Sequence, residues 1–147
     1  MKTLIIYDST YGNTQKIAES IGSAIPGETR VTRAGEFDQK SLSPVDLLVV
    51  GSPTQGGRPT QLVQELLANI PETFVKGAKV AAFDTRTPGR FERIFGYAAD
   101  RIAASLTGKG GKLVTSPMAF FVNGKKGPIK DGELARASSW AKEIAGK

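Results

Sequence analysis

Ser9, Thr10, Tyr11, Gly12, Asn13 and Thr14 stand in a row between an apolar run, "TLIIYD", and a helical pattern. Their chemistry is that of neutral donors. The hydroxyls of Ser9, Thr10 and Thr14 can donate to an anion. Gly12 admits positive φ and close backbone approach, and Asn13 suits a turn. The first amides of the following helix point outward, and the helix dipole favours negative charge there. No Lys or Arg lies in the stretch. It reads as a phosphate cradle made of hydroxyls, amides and a helix start. A helix cap alone needs one Ser, Thr, Asn or Asp, and six consecutive donor or turn residues exceed that need.

Two later stretches share this character and also follow apolar runs. "GSPTQGG" holds Pro53, Thr54, Gln55, Gly56 and Gly57, and "DTRTPGR" holds Asp84, Thr85 and Arg86. Other phosphate and catalytic sites fail on spelling. A Walker A loop requires a Lys that "STYGNT" lacks, and no G-x-G-x-x-G follows the first strand. A phospho-receiver domain needs an Asp where Ser52, Pro53 and Thr54 stand. The chain has neither Cys nor His. That removes disulfides, thiol nucleophiles, the commonest metal ligands and every Ser-His-Asp arrangement.

The elements that must position these loops follow from periodicity. "TLIIYD", "DLLVVGS" and "KVAAFD" are nearly continuous apolar runs, as in strands covered on both faces. "TRVTR" alternates and belongs at an edge. "KLVTSPMAFFV" is a last strand region, interrupted by Pro117. Helices are predicted over Asn13 to Ile25, from Thr60 to the stop at Pro71, from Phe91 to Leu106, and over the closing "DGELARASSWAKEIA". Leu62, Val63, Leu66, Leu67 and Ile70 form the apolar face of the second helix. Trp140 joins Leu134, Ala137, Ala141 and Ile144 on a core face of the last. The alternation predicts an α/β fold, one doubly wound five-stranded parallel sheet of order 2-1-3-4-5 with helices on both faces. No repeat or linker divides the 147 residues, so one domain over 1–147 is expected. In such a sheet ligands bind beyond the carboxyl ends of the strands, at the switch in strand order. The three loops converge there.

The chain carries 20 Lys and Arg against 14 Asp and Glu, a net charge of +6. This balance suits acidic partners and steered encounter. The cations are scattered, without a basic helix or aromatic-basic stripe, which speaks against nucleic acid. Apolar runs are far too short for a membrane span, and no secretory leader precedes the first strand. A cytoplasmic location is expected.

On these motifs the chain resembles the flavodoxins. "STYGNT" is close to their phosphate loop, usually [TS]-x-T-G-N-T. "GSPTQGG" resembles a flavin loop of that superfamily, and "GKKGPIKDGELARASSWA" its closing segment. The length matches the short-chain type. The resemblance implies an FMN-binding electron carrier. Ser9 to Thr14 would hold the phosphate, Pro53 to Gly57 would line the isoalloxazine edge, and Asp84, Thr85 and Arg86 through Phe91 would form the far wall. In that family a carbonyl of the second loop turns toward a flavin N–H, and Gly56–Gly57 suits such a turn.

The chain departs from the family in lacking an aromatic in the second loop. The third offers only Phe91, Phe95 or Tyr97, and the net charge is basic where flavodoxins are acidic. Looser FMN binding and a less negative potential follow from those changes. Arg58, Arg86, Arg90 and Arg93 would rim the flavin edge and steer an acidic redox protein. The implied state is monomeric. An FMN-dependent NAD(P)H:quinone-type reductase and a flavin-free anion-binding module are the alternative readings on the same fold.

Overall fold

The computed structural model describes residues 1–88 and 96–147. β1 (Lys2–Tyr7), β3 (Leu47–Pro53) and β4 (Lys79–Arg86) form the centre of the sheet. β2 (Glu28–Arg33) takes one edge, paired in parallel with β1. The far edge is a strand in two pieces. β5 (Lys112–Leu113) pairs with the start of β4 and β6 (Met118–Phe121) with its end, with the break at Pro117 between them. The order is β2-β1-β3-β4-β5, with β6 continuing beside β4, and every strand pair is parallel. This is the expected 2-1-3-4-5 topology.

Because strand side chains alternate, each central strand feeds two cores. Ile5, Leu47, Val49, Ala81 and Phe83 face one side with Ile17, Ile21, Trp140 and Ile144. Those helical residues belong to α1 (Asn13–Ala24) and to the last helix, Glu133–Ala145. Leu4, Ile6, Leu48, Val50 and Val80 face the other side. There they meet α2 (Gln61–Asn69), the single turn α3 (Glu72–Val75) and α4 (Ala98–Gly108). The last helix is α5 in this numbering. Thr60 caps α2, its Oγ1 accepting from Val63 N–H. The connection from β2 to β3 holds two short 3₁₀ turns, Ala34–Glu36 and Gln39–Ser41. None of the described helices is long and apolar enough to cross a membrane.

Three expectations need correction. Leu62 and Leu134 are 43% and 44% exposed rather than core residues. The helix expected from Phe91 is seen from Ala98, and Phe91 itself lies outside the described residues. In α5 the buried position one turn before Ala137 belongs to Glu133, not Leu134. A carboxylate is tolerated there because its charge is answered. Glu133 accepts from Arg136 Nε at 2.9 Å and from Phe121 N–H at 2.7 Å, and Arg136 also reaches the Ala119 carbonyl.

The hydrogen bonds of Arg136 hold the Glu133 pKa below its ordinary value, against burial, which raises it; the Phe121 amide adds to the lowering. A lowered folded-state pKa stabilises the protein fully above the unfolded value, about pH 4.3, and that contribution fades as pH falls through the folded value. Glu133→Gln is therefore expected to flatten the loss of stability below about pH 4.3. Urea midpoints measured across that range check it, and an unchanged acid limb would remove Glu133 from the account.

Candidate functional site

The carboxyl ends of β1, β3 and β4 open onto one cleft of about 590 Å³. Its walls are Ser9, Thr10, Tyr11, Asn13 and Thr14 from the first loop, Pro53 to Gly56 from the second, Thr85 to Thr87 from the third, and Val122 and Lys125. That volume suits a cofactor-sized ligand. A larger, shallower hollow at the opposite end of the sheet, around Met1, Pro44, Pro71 and Lys79, gathers none of the three loops.

The first loop is set by local bonds. Ser9 N–H donates to Asp8 Oδ1 at 2.8 Å, and Gly12 N–H to Ser9 Oγ at 2.9 Å. Arg33 braces the outside, donating to the Ser9 carbonyl and to Gln15 Oε1, each at 3.0 Å. Gly12 occupies the N-cap of α1 at φ 91°. L side chains rarely adopt that conformation. The helix start also lacks a side-chain cap hydrogen bond. The first residues of α1, Asn13 and Thr14, line the cleft, and their helix start lacks the acceptor that Ser, Thr or Asp would normally supply at the cap.

The second loop is a hairpin turn. Gln55 and Arg58 exchange both backbone hydrogen bonds, at 2.8 and 3.1 Å. Gly56 and Gly57 between them have φ of 58° and 79°, the backbone signature of a type I′ turn. Two side-chain bonds tie the loops together. Gln55 Nε2 donates to Thr10 Oγ1 at 2.9 Å, and Thr14 and Thr85 share a buried hydroxyl–hydroxyl bond of 2.7 Å. The backbone adds Thr54 N–H to the Thr85 carbonyl at 2.9 Å.

The third wall differs from the expected one. Asp84 is fully buried and does not line the cleft. Strand alternation turns it toward α4, where it accepts from Ala99 N–H at 3.0 Å. It also holds Arg86 through two bonds of 2.8 and 2.7 Å. Arg86 does line the cleft, with its guanidinium 3.4 Å from the centre of the Tyr97 ring. Burial opposes its charge, but hydrogen bonding and attraction from Asp84 outweigh it, and the Arg86 pKa is raised. Tyr97, one of the aromatics available to the third loop, is thus covered by Arg86 and is absent from the cleft wall. Gly57 is buried and also stands behind the wall. Phe95, Arg90 and Arg93 lie outside the described residues, as Phe91 does.

Thr87 lines the cleft within the stretch Arg86 to Phe91 expected for the far wall, while Val122 and Lys125 line it without having been expected there. Lys125 belongs to "NGKKGP", which reads in sequence as a plain turn. Nothing local marks it as a neighbour of the first loop, more than a hundred positions earlier.

The donor set fits FMN. Hydroxyls and uncapped helix amides at one end suit a phosphate, and mixed polar and apolar walls suit a ring system. Comparisons with known proteins agree. The flavodoxin family model matches residues 5–140. No curated protein matches the sequence. Among solved structures, a flavodoxin from the domain Archaea shares the fold with a TM-score of 0.82 and 22% identity, over 99% of this chain and 97% of that one. Oxidised flavodoxin 2 from Bacillus cereus gives 0.81 and 24%, over 99% of both chains. Rubredoxin oxygen:oxidoreductase from Desulfovibrio gigas gives 0.79 and 20%, over 99% of this chain and 35% of that one. At such identities the structures speak for the fold, while the family model speaks for descent over nearly the whole length. The chain belongs to the flavodoxin family and is an FMN-binding electron-transfer protein.

Proposed function

We propose that the FMN phosphate is held by Ser9, Thr10, Tyr11, Gly12, Asn13 and Thr14, and the ring by Pro53, Thr54, Gln55, Gly56, Thr85 and Arg86. The observation that carries this reading is the convergence of three loops on one cleft beside an uncapped helix start. FMN, when bound, supplies the electron chemistry, and the chain supplies orientation and electrostatics. Ser9 and Thr10 offer hydroxyls at the mouth, and the Thr14–Thr85 bond fixes the floor between the start of α1 and β4. Asp84 and Gly57 act from behind, Asp84 by fixing Arg86 and Gly57 by shaping the turn.

The protein then serves as a monomeric, cytoplasmic, single-domain carrier. Its exposed Arg58 and Lys126 and the overall charge of +6 favour redox partners with acidic faces. The carrier reading accords better than a reductase with a chain that has neither His nor Cys for proton transfer or nucleophilic work.

Thr10→Ala tests the phosphate assignment. Thr10 is exposed, so its hydroxyl can be removed without opening the core. A hydrogen bond to a charged group contributes about 1.5–3 kcal/mol, so FMN affinity should fall roughly tenfold or more. Riboflavin, which lacks the phosphate, should bind as before. Quenching of flavin fluorescence measures both. Equal losses for the two ligands would count against the assignment.

A further inference from the structure

The first loop contains no cation, yet the phosphate end of the cleft does not lack one. After β6 the chain makes a tight excursion. Val122 and Ile129 form an antiparallel bridge, Asn123 N–H donates to the Pro128 carbonyl at 2.8 Å, and Gly127 N–H to the Gly124 carbonyl at 2.9 Å. Lys125 and Lys126 sit at its tip. The excursion is pressed against the first loop. A Cβ on Gly127 would fall 2.6 Å from Asn13 Oδ1 and 2.8 Å from its Nδ2, and the φ of 96° at Gly127 favours glycine there. The Lys126 ammonium lies 6.0 Å from the centre of the Tyr11 ring. Lys125 itself lines the cleft with Ser9, Thr10, Tyr11, Asn13 and Thr14. It makes no ion pair among the described residues.

We propose that Lys125 supplies the cationic contact to the phosphomonoester of the bound flavin, and that the loop after β6 is thereby a fourth, specificity-determining part of the site. The inference rests on the reading of Ser9–Thr14 as the phosphate cradle. Neutral hydroxyls and helix amides satisfy a phosphate's lone pairs but leave most of its double negative charge unanswered. A mobile ammonium at the rim answers it without entering the cradle. The Gly127–Asn13 contact gives the loop its place, and Lys126, turned toward Tyr11, has the lesser role.

The test is a set of fluorescence titrations with FMN and with riboflavin, on the full chain and on Lys125→Gln, Lys125→Arg and Lys126→Gln, at low and moderate ionic strength. Lys125→Gln is expected to weaken FMN by roughly tenfold at low salt, to leave riboflavin unchanged and to flatten the salt dependence of FMN binding. Lys125→Arg should retain most of the FMN affinity, and Lys126→Gln should change it by less than Lys125→Gln. If Lys125→Gln binds FMN with the affinity and salt dependence of the parent chain, the role of Lys125 is overturned while the cradle stands. If the parent chain itself does not prefer FMN to riboflavin, the cradle and the proposal fall together. Lys125 is exposed, so thermal melts of the variants should match the parent chain and exclude a folding effect.

Discussion

Asp84→Ala is expected to destabilise the fold by about 3–5 kcal/mol, the usual cost of removing one partner from a buried ion pair. The Asp84 side chain has no exposed surface and that of Arg86 has 14%. Without the carboxylate, the mostly buried guanidinium loses its bonded partner and keeps the weaker attraction of Asp100. The first turn of α4 also loses the acceptor for Ala99 N–H. For a chain of this length each kcal/mol moves the melting temperature by roughly 2–4 °C, so a drop on the order of 10 °C is expected. The double variant Asp84→Ala, Arg86→Met should recover part of the loss, because it removes the stranded charge as well. Melts followed by circular dichroism measure both. If the single variant were as stable as the parent chain, the pair would not be the tie between the sheet and the cleft wall that its geometry indicates. FMN binding reports the second consequence. Arg86, no longer held against the cleft wall by Asp84, should let FMN affinity fall even where the protein remains folded.

Trp140→Ala is expected to cost about 3–5 kcal/mol, for the burial lost and the cavity left. The indole is 2% exposed and meets Phe83 and Phe120 edge to face, at 6.2 and 6.0 Å. Phe83 and Phe120 meet each other in the same way at 6.0 Å. This three-ring cluster joins α5 to β4 and β6, so the last helix depends on it. Trp140→Phe should be far milder. The Trp140 indole N–H is buried without a partner among the described residues, and replacing it removes an unsatisfied donor along with some contact area. Denaturant midpoints should therefore rank the parent chain close to Trp140→Phe and well above Trp140→Ala. Similar losses for both variants would mean that the indole's own volume and shape matter more than an aromatic ring at that place.

The legible parts of this protein are those with a period. The three apolar strands and the helices that follow them announce the sheet and its order, and order alone locates the cleft. Thr54, Gln55 and the first loop could be named because they leave those strands in sequence. What alternation does along a strand was harder to apply at its end. Asp84 and Thr85 are neighbours in "DTR", yet Asp84 turns to α4 and Thr85 to Thr14. Leu134 was hidden by a different fact. It lies three positions before Ala137 and Glu133 lies four, both compatible with a helical stripe. The Arg136 and Phe121 bonds that make Glu133 the buried one are tertiary. Lys125 was the least legible, since its place depends on how a loop near the end of the chain folds back over one near its start.

The ties across the cleft join Thr10 to Gln55, 45 positions apart, and Thr14 to Thr85, 71 apart. Unfolding scatters every one of these segments, so the unfolded chain keeps no remnant of the binding surface. By mass action, a ligand held at a hundred times its dissociation constant then stabilises the native state by about 2.7 kcal/mol. Closing such distant segments of a parallel sheet is also slow, because the loop entropy is lost before the contacts form. The cofactor therefore arrives as the last lock on an assembled chain. Its release lowers the stability of the native state against thermal unfolding before any covalent bond in the protein has changed.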